Sequence, residues 1–474
     1  MRPNDMVSVM DTVALRAELT ETFRGTMSFE AAHDPSDLHD ESLHVREREP
    51  FAVARPRSTA EVATLLRFAY EHDIPVTPRG SGTGLSGGAL PVSGGLVISF
   101  DQMRAVLHID ERDHVAVVQA GTTLRELNEA LALSGLHYPV YPGELSGSLG
   151  GNVNTNAGGM RAVRHGVTRQ HVLGLEVVLM DGTVVRTGGP VVKSSSGYDL
   201  TQLIVGSEGT LALVTEVTLK LAPVLPHSAT LLVPFSDLVT IANVVPALIS
   251  SGLAPSLLEY LEPVTLAALG RGTDLKLGVD PTIAERASAY LVIVLETRTP
   301  EQLASDLEGA ASLVNEAGAL EIYVLEGAAA NDLITAREKV FWLTKAAGAN
   351  DIVDVVVPRS SVPKFLDEVS ALAGRYGAYV AGCGHVGDGN VHLSVFQPDD
   401  IVREEFLLEL FRIGVGLGGA ISGEHGLGID KSAAYLALAD PALVALQRQI
   451  KDVFDPKGLL NPFRHLDARG GTVL

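Results

Sequence analysis

One cysteine, Cys383, occurs in 474 residues. That scarcity excludes an intrachain disulfide framework, a cysteine-rich zinc knuckle and a thiolate-held iron–sulfur cluster. Basic residues are also in short supply, 36 against 57 acidic, for a formal net charge of −21. Such a balance argues against wrapping nucleic acid or an anionic membrane, though a local basic pocket can still bind an anion. No apolar run reaches the roughly 18 residues of a membrane span, and acidic residues interrupt the first segment where a signal peptide would continue its apolar core. These absences predict a cytoplasmic enzyme with no membrane span and no nucleic-acid partner.

Glycine is what the chain has in excess, with 48 residues, while 46 % hydrophobic and 20 % charged residues describe a folded enzyme. The length implies more than one domain. Residues 1–50 read as an N-terminal arm, a short helix followed by a polar stretch. From Pro56 the pattern sharpens. Ser58 and Glu61 form a capping box ahead of the apolar face Val62, Leu65, Leu66 and Ala69. Short strands and a helix from Thr122 to about Leu133 continue to the end of a first domain, 51–224. A second, 225–440, alternates strands with helices and predicts a mixed or antiparallel sheet with helices on one face. Residues 441–474 are too short for a domain and are expected to pack back on the first.

The run GTGLSG at 82–87 matches the nicotinamide-cofactor pattern G-x-G-x-x-G. That fingerprint must open a helix, and Gly87, Gly88, Pro91, Gly94 and Gly95 leave no room for one before Leu96. The remaining reading is a nest of backbone N–H groups fit for a diphosphate, with Ser81, Thr83 and Ser86 as added donors. A second run, PGELSGSLGGNVNTNAGG (142–159), has the small and Asn residues that a flat polar ligand needs for close approach. Two such loops imply a large cofactor with a diphosphate and a ring system. Further on, Gly387-Asp388-Gly389 turns the chain between His385 and His392, and GEHGLG (423–428) adds Glu424 and His425. Two imidazoles and a carboxylate suit Zn²⁺, Mn²⁺ or Fe²⁺. The plainer reading makes the histidines hydrogen-bonded turn residues.

PRGSGTGLSGG (78–88), the stretch 150–188 and GYDLTQLIVGSEGTLALVTEVTLKL (197–221) together resemble flavoenzymes related to vanillyl-alcohol oxidase, in the branch of glycolate oxidase and D-lactate dehydrogenase. The likeness runs from about Arg55 to Arg464. It implies an α+β fold of two domains, an FAD-binding domain and a cap with a mixed or antiparallel sheet. It places Pro78, Arg79, Gly80, Ser81, Gly82, Thr83 and Gly84 around the FAD diphosphate, and Pro142, Gly147, Gly151, Asn152, Ala157 and Gly158 beside the flavin and ribityl chain. Glu208, Gly209 and Asn461 border the cofactor, as does Lys457. The first loop has neither His nor Cys, so the FAD is expected to be non-covalent. Glu144 stands where many relatives carry Asp.

Relatives that oxidise D-2-hydroxy acids carry GHxGDGNxH and SGEHGxG. The resemblance therefore makes His385, His392 and Glu424 ligands of a divalent metal, zinc before manganese or iron. His425 becomes the base, working near its ordinary pKa while the Cα hydride passes to flavin N5, and Arg337 grips the substrate carboxylate. Arg359 is a further motif residue without an assigned role. Hydroxyglutarate dehydrogenases of this group carry Thr four residues after that arginine, Lys fifteen after it, and Asn two after the second histidine. Here those positions are Phe341, Ile352 and Ser394, which favours a lactate- or glycolate-like monocarboxylate. Cys383 reads as a buried filler. Alternatives are a flavin oxidase of another alcohol or aldonolactone, or a non-catalytic flavin-bearing subunit. The electron acceptor is left open among O₂, a quinone, a cytochrome and a partner protein, and a homodimer is the default for a soluble enzyme.

Overall fold

A computed structural model describes residues 9–27, 29, 34–44, 48–272, 277–464 and 466. Of the expected arm, 1–8, 28, 30–33 and 45–47 lie outside the described residues, as do 465 and 467–474 of the expected C-terminal segment. The first half contains a three-stranded parallel sheet in the order Ala52–Ala54, Leu96–Ser99, Val76–Arg79. Parallel neighbours are normally joined through a helix. Here residues 80–95 make the crossover with glycine-rich loop alone, which is why the nicotinamide pattern fails. Ser58 caps the helix Thr59–Glu71 by accepting from the Glu61 N–H, and Val62, Leu65, Leu66 and Ala69 are buried as the spacing predicts. Beside this lies a five-stranded antiparallel sheet, in the order Val106–Asp110, Val115–Gln119, Leu213–Lys220, Val172–Val178, Val184–Gly188.

The second half is built on seven strands: Tyr323–Leu325, His227–Phe235, Ala289–Thr297, Leu257–Leu261, Tyr379–His385, Asn390–Phe396 and Asp351–Val356, in that spatial order. Every pair is antiparallel, so of the two expected arrangements the antiparallel one holds. Helices cover both faces rather than one. Phe365 of Val362–Tyr376 and Phe406 of Asp400–Gly416 join Leu231, Val233, Leu258, Tyr260, Val353, Val355, Leu393 and Val395 in one apolar layer. Leu333 of Ala328–Glu338 packs with Leu232, Leu257, Leu261 and Cys383 on the other side.

Strand periodicity of two then decides where polar residues go. Where Leu258, Tyr260, Leu393, Val353 and Val355 face the first layer, the intervening Glu259, His392, Ser394, Ile352 and Asp354 face the opposite side. His385 shares that side with Cys383, two residues before it. Register aligns them: Cys383 and Asp354 flank His392, and Ala381 and Ile352 flank Ser394. Residues 455–464 return to the first half, where the Val76 N–H donates to Leu459 O at 2.8 Å and Leu459 and Leu460 join its core.

Phe365 is fully buried, and a Phe→Ala change at such a position costs about 3–5 kcal/mol. Phe365→Ala is expected to lower the unfolding free energy by that amount, read by far-ultraviolet circular dichroism as a lower urea midpoint with an unchanged slope.

Candidate active site

A cavity runs between the two halves. Pro78 and the loop Gly80, Ser81, Gly82, Thr83, Gly84 form one wall, and Pro142, Gly147, Gly151, Asn152, Ala157 and Gly158 form the next. Glu208, Gly209 and Asn461 close that side, while Arg337, His385, His392, Glu424 and His425 face it from the seven-stranded sheet. The second glycine run is not all loop, as it contains the short helix Leu149–Thr155 capped by Ser148. Gly159 sits at φ +122°, and an added Cβ would lie 1.9 Å from Tyr141 O, so the wall requires glycine there. Buried Asn152 Nδ2, Asn461 Oδ1 and Ser86 Oγ have no hydrogen-bond partner among the described residues. Their residues line the same cavity, and such unmet polar groups fit a polar cofactor such as FAD.

Arg79 and Lys457 are the two expected cofactor residues absent from the lining, and Arg79 has a clear reason. Its guanidinium turns behind the loop and donates to the carbonyls of Ser36 and His39, 2.7 Å to the latter. Arg79 thus props the loop against the arm. Lys457 also misses the cavity and donates to Tyr70 O and Asp73, both at 2.7 Å. Arg359 is exposed in the turn Arg359–Ser361. Glu144 does line the cavity, its carboxylate accepting from the Ser146 N–H and hydroxyl. The carboxylate of Glu208 accepts the Leu427 and Gly428 N–H groups at 2.7 Å each, clamping the GEHGLG turn to the first half. Asn461 in turn donates to Glu208 O at 2.7 Å.

His385, His392 and Glu424 offer ligand atoms that all lie within 4.8 Å of one another. Glu424 Oε1 is 3.4 Å from His385 Nε2 and 3.2 Å from His392 Nε2. The His392 contact lacks hydrogen-bond alignment, which leaves His392 Nε2 buried without a partner among the described residues, and the other carboxylate oxygen, Glu424 Oε2, has none either. Two lone pairs left unsatisfied inside such a cluster fit a divalent cation. Burial opposes charge on Glu424, but His385 and His392 hold its carboxyl well below the ordinary range. His385 is likewise disfavoured as a cation by burial, yet Glu259 and Glu424 raise it well above its ordinary value.

Asp354 had no motif to mark it. Fully buried, it accepts from the N–H groups of Gly423, Glu424 and His425 at 3.0, 2.8 and 2.8 Å, and from the Ser422 hydroxyl. The ammonium of buried Lys431 completes its shell. Burial would raise its carboxyl, but His425 and Lys431 hold it down at about 2. The expectation of an unshifted His425 is not met. Burial pushes its imidazole down to about 4 against the pull of Asp354, and it is therefore neutral at neutral pH. Arg337 is paired through Nε with Glu259 Oε2 at 2.9 Å, while its buried Nη2 has no partner. Phe341, Ile352 and Ser394 line the cavity with Arg337, as does Trp342, whose ring meets Phe341 edge-on at 4.9 Å.

Two family models match the chain. The model described as the FAD binding domain covers residues 50–188, and the C-terminal domain of FAD linked oxidases covers 225–464. The chain belongs to the FAD-linked oxidases. It is 51 % identical over 429 residues to an uncharacterised FAD-linked oxidoreductase of Mycobacterium tuberculosis, covering 90 % of this chain and 94 % of that one. Identity is 36 % to the glycolate oxidase subunit GlcD of Bacillus subtilis (90 % and 91 % covered) and 36 % to the D-lactate dehydrogenase of Archaeoglobus fulgidus (90 % and 95 %). In fold it matches 4-ethylphenol oxidase from Gulosibacter chungangensis, with TM-score 0.77 at 20 % identity over 97 % of this chain and 98 % of that one. This FAD-linked oxidoreductase therefore has the two-domain architecture of the vanillyl-alcohol-oxidase type. No helix among its described residues is long and apolar enough to cross a membrane.

Replacing Asp354 with Asn removes the counter-charge of buried Lys431 and turns an amide donor toward N–H donors. Breaking a buried ion pair in this way costs about 3–5 kcal/mol. Asp354→Asn is expected to accelerate hydrogen exchange at the amides of Gly423, Glu424 and His425, while the amides of the five-stranded sheet keep their protection.

Proposed function

We propose that this FAD-linked oxidoreductase oxidises a D-2-hydroxy acid bearing one carboxylate to its 2-oxo acid, using a divalent metal held by His385, His392 and Glu424. The observation that carries this reading is Arg337 in the cavity wall, pinned through Nε and with a buried Nη2 that has no partner among the described residues. A carboxylate accepts from such a guanidinium in a charge-assisted bond, stronger than the contact a neutral alcohol or lactone oxygen makes. The names of the glycolate and D-lactate relatives agree with this choice.

The protein's own groups divide the work. Arg337 binds the substrate carboxylate and orients the carbon bearing the hydroxyl. His425, held neutral by burial, accepts the hydroxyl proton on a ring nitrogen. Asp354 fixes the backbone of His425 and Glu424, so that base and metal ligand move together. Bound metal supplies polarisation of the hydroxyl oxygen. Bound FAD supplies the acceptor for the Cα hydride.

Substrate length follows from charge. Arg337 is the one Arg or Lys among the described lining residues, and Phe341, Trp342 and Ile352 make the neighbouring wall apolar. Lys345 lies beyond Phe341 and Trp342, paired with Glu41 at 2.7 Å. A second substrate carboxylate would be desolvated here without a counter-charge. A lactate- or glycolate-like acid, or a longer apolar one, is favoured over hydroxyglutarate.

Anaerobic mixing with a panel of D- and L-2-hydroxy acids tests the proposal through loss of oxidised-flavin absorbance. D-monocarboxylates are expected to bleach the flavin faster than D-2-hydroxyglutarate; no bleaching by any monocarboxylate overturns the assignment. His425→Ala is expected to slow bleaching by about 10²–10⁴-fold with FAD still bound.

A further inference from the structure

One buried carboxylate touches both halves of the proposed chemistry. Glu259 is on the strand Leu257–Leu261, with its side chain 1 % exposed. Pairing of Tyr260 with Gly384 and Leu261 with Cys383 sets it opposite His385. Its Oε1 meets His385 Nδ1 in a short hydrogen bond, and its Oε2 accepts from Arg337 Nε at 2.9 Å.

Each contact fixes one atom of the partner and leaves another for a second contact. An ionised carboxylate only accepts, so His385 must carry a proton on Nδ1. In the neutral ring, Nε2 then keeps its lone pair, and Nε2 is the nitrogen turned toward Glu424 and His392. Arg337, fixed through Nε, presents its unpartnered Nη2. We infer that Glu259 is a positioning residue that sets the His385 tautomer needed for metal binding and the Arg337 orientation needed for the substrate carboxylate. This rests on the function proposed above and adds a residue that touches neither metal nor substrate.

Glutamine at this position has the same shape but cannot serve both partners. With its oxygen toward Arg337 Nε, its NH₂ faces His385 Nδ1 and drives the ring proton onto Nε2, blocking that nitrogen as a ligand. Turned the other way, its NH₂ opposes the Arg337 Nε–H. Loss of an outer carboxylate partner of a metal-binding histidine typically weakens metal affinity by about 10–100-fold.

The test uses FAD-loaded protein and Zn²⁺ alone, with affinity read by competition against a chromogenic chelator. Glu259→Gln is expected to bind Zn²⁺ about 10–100-fold more weakly than wild type while retaining FAD. ¹⁵N spectra of metal-free, histidine-labelled protein, recorded at a pH high enough to make His385 neutral and assigned with His385→Asn, are expected to show its proton moved from Nδ1 to Nε2. Glu259→Asp keeps an acceptor-only group and is expected to recover affinity relative to Gln, which a purely structural role does not predict. Equal Zn²⁺ affinity in wild type and Glu259→Gln overturns this inference alone. Absence of Zn²⁺, Mn²⁺ and Fe²⁺ binding by wild type overturns the reading of the metal site and the inference with it.

Discussion

The buried Asp354 carboxylate is the interaction on which the rest of the site depends. Three consecutive backbone N–H groups, a hydroxyl and an ammonium converge on it. Together they impose one shape on the turn that carries Glu424 and His425. A glycine-rich turn without such an anchor would sample many conformations, and two functional side chains next to each other would wander together. The far end of the same turn is held from the other half of the molecule by Glu208. The reactive corner is thus braced by one carboxylate from each half. Its geometry exists only where the halves meet.

The seven-stranded sheet supplies the remaining groups through its alternation. One face is paved with Leu, Val, Ile and Phe and buried under helices. The strands nearest the cavity carry titratable residues at the intervening positions, where an ordinary two-layer core would be apolar. Burying these groups costs free energy unless each is partnered. Glu259 is satisfied by Arg337 and His385, and Asp354 by Lys431 and the turn. Unpartnered buried atoms remain on Arg337, His392 and Glu424, all of them residues of one cavity lining. That concentration of unmet bonding capacity is what separates a binding site from a structural network.

Groups that announce themselves within a short stretch were legible in the sequence. Both glycine runs reached the cavity wall, and His385, His392, Glu424 and His425 converge as their motifs imply. The decoy at 82–87 was separable because helix breakers are local. Glu259, Asp354 and Lys431 were not legible. Each lies in an unremarkable strand or turn and acquires its partners from 68 to 126 positions away, through sheet register and the packing of the turn. Arg79 reads as a cofactor residue from its place in the loop, yet the arm offers it buried carbonyls, and these draw it outward. The ordinary pKa assumed for His425 failed because desolvation by neighbouring elements is a tertiary property. The segment ALEIYVLE reads as a strand throughout, but only Tyr323–Leu325 pairs, at the sheet edge.

One cavity joins a glycine-walled cofactor cleft to the proposed metal ligands on the facing sheet. Anomalous diffraction from crystals of the FAD-loaded protein grown with Mn²⁺ tests this arrangement. A strong peak is expected between His385 Nε2, His392 Nε2 and the Glu424 carboxylate, with flavin density against Asn152, Gly158 and Asn461. Manganese peaks confined to other carboxylates, with that cluster empty, would contradict it.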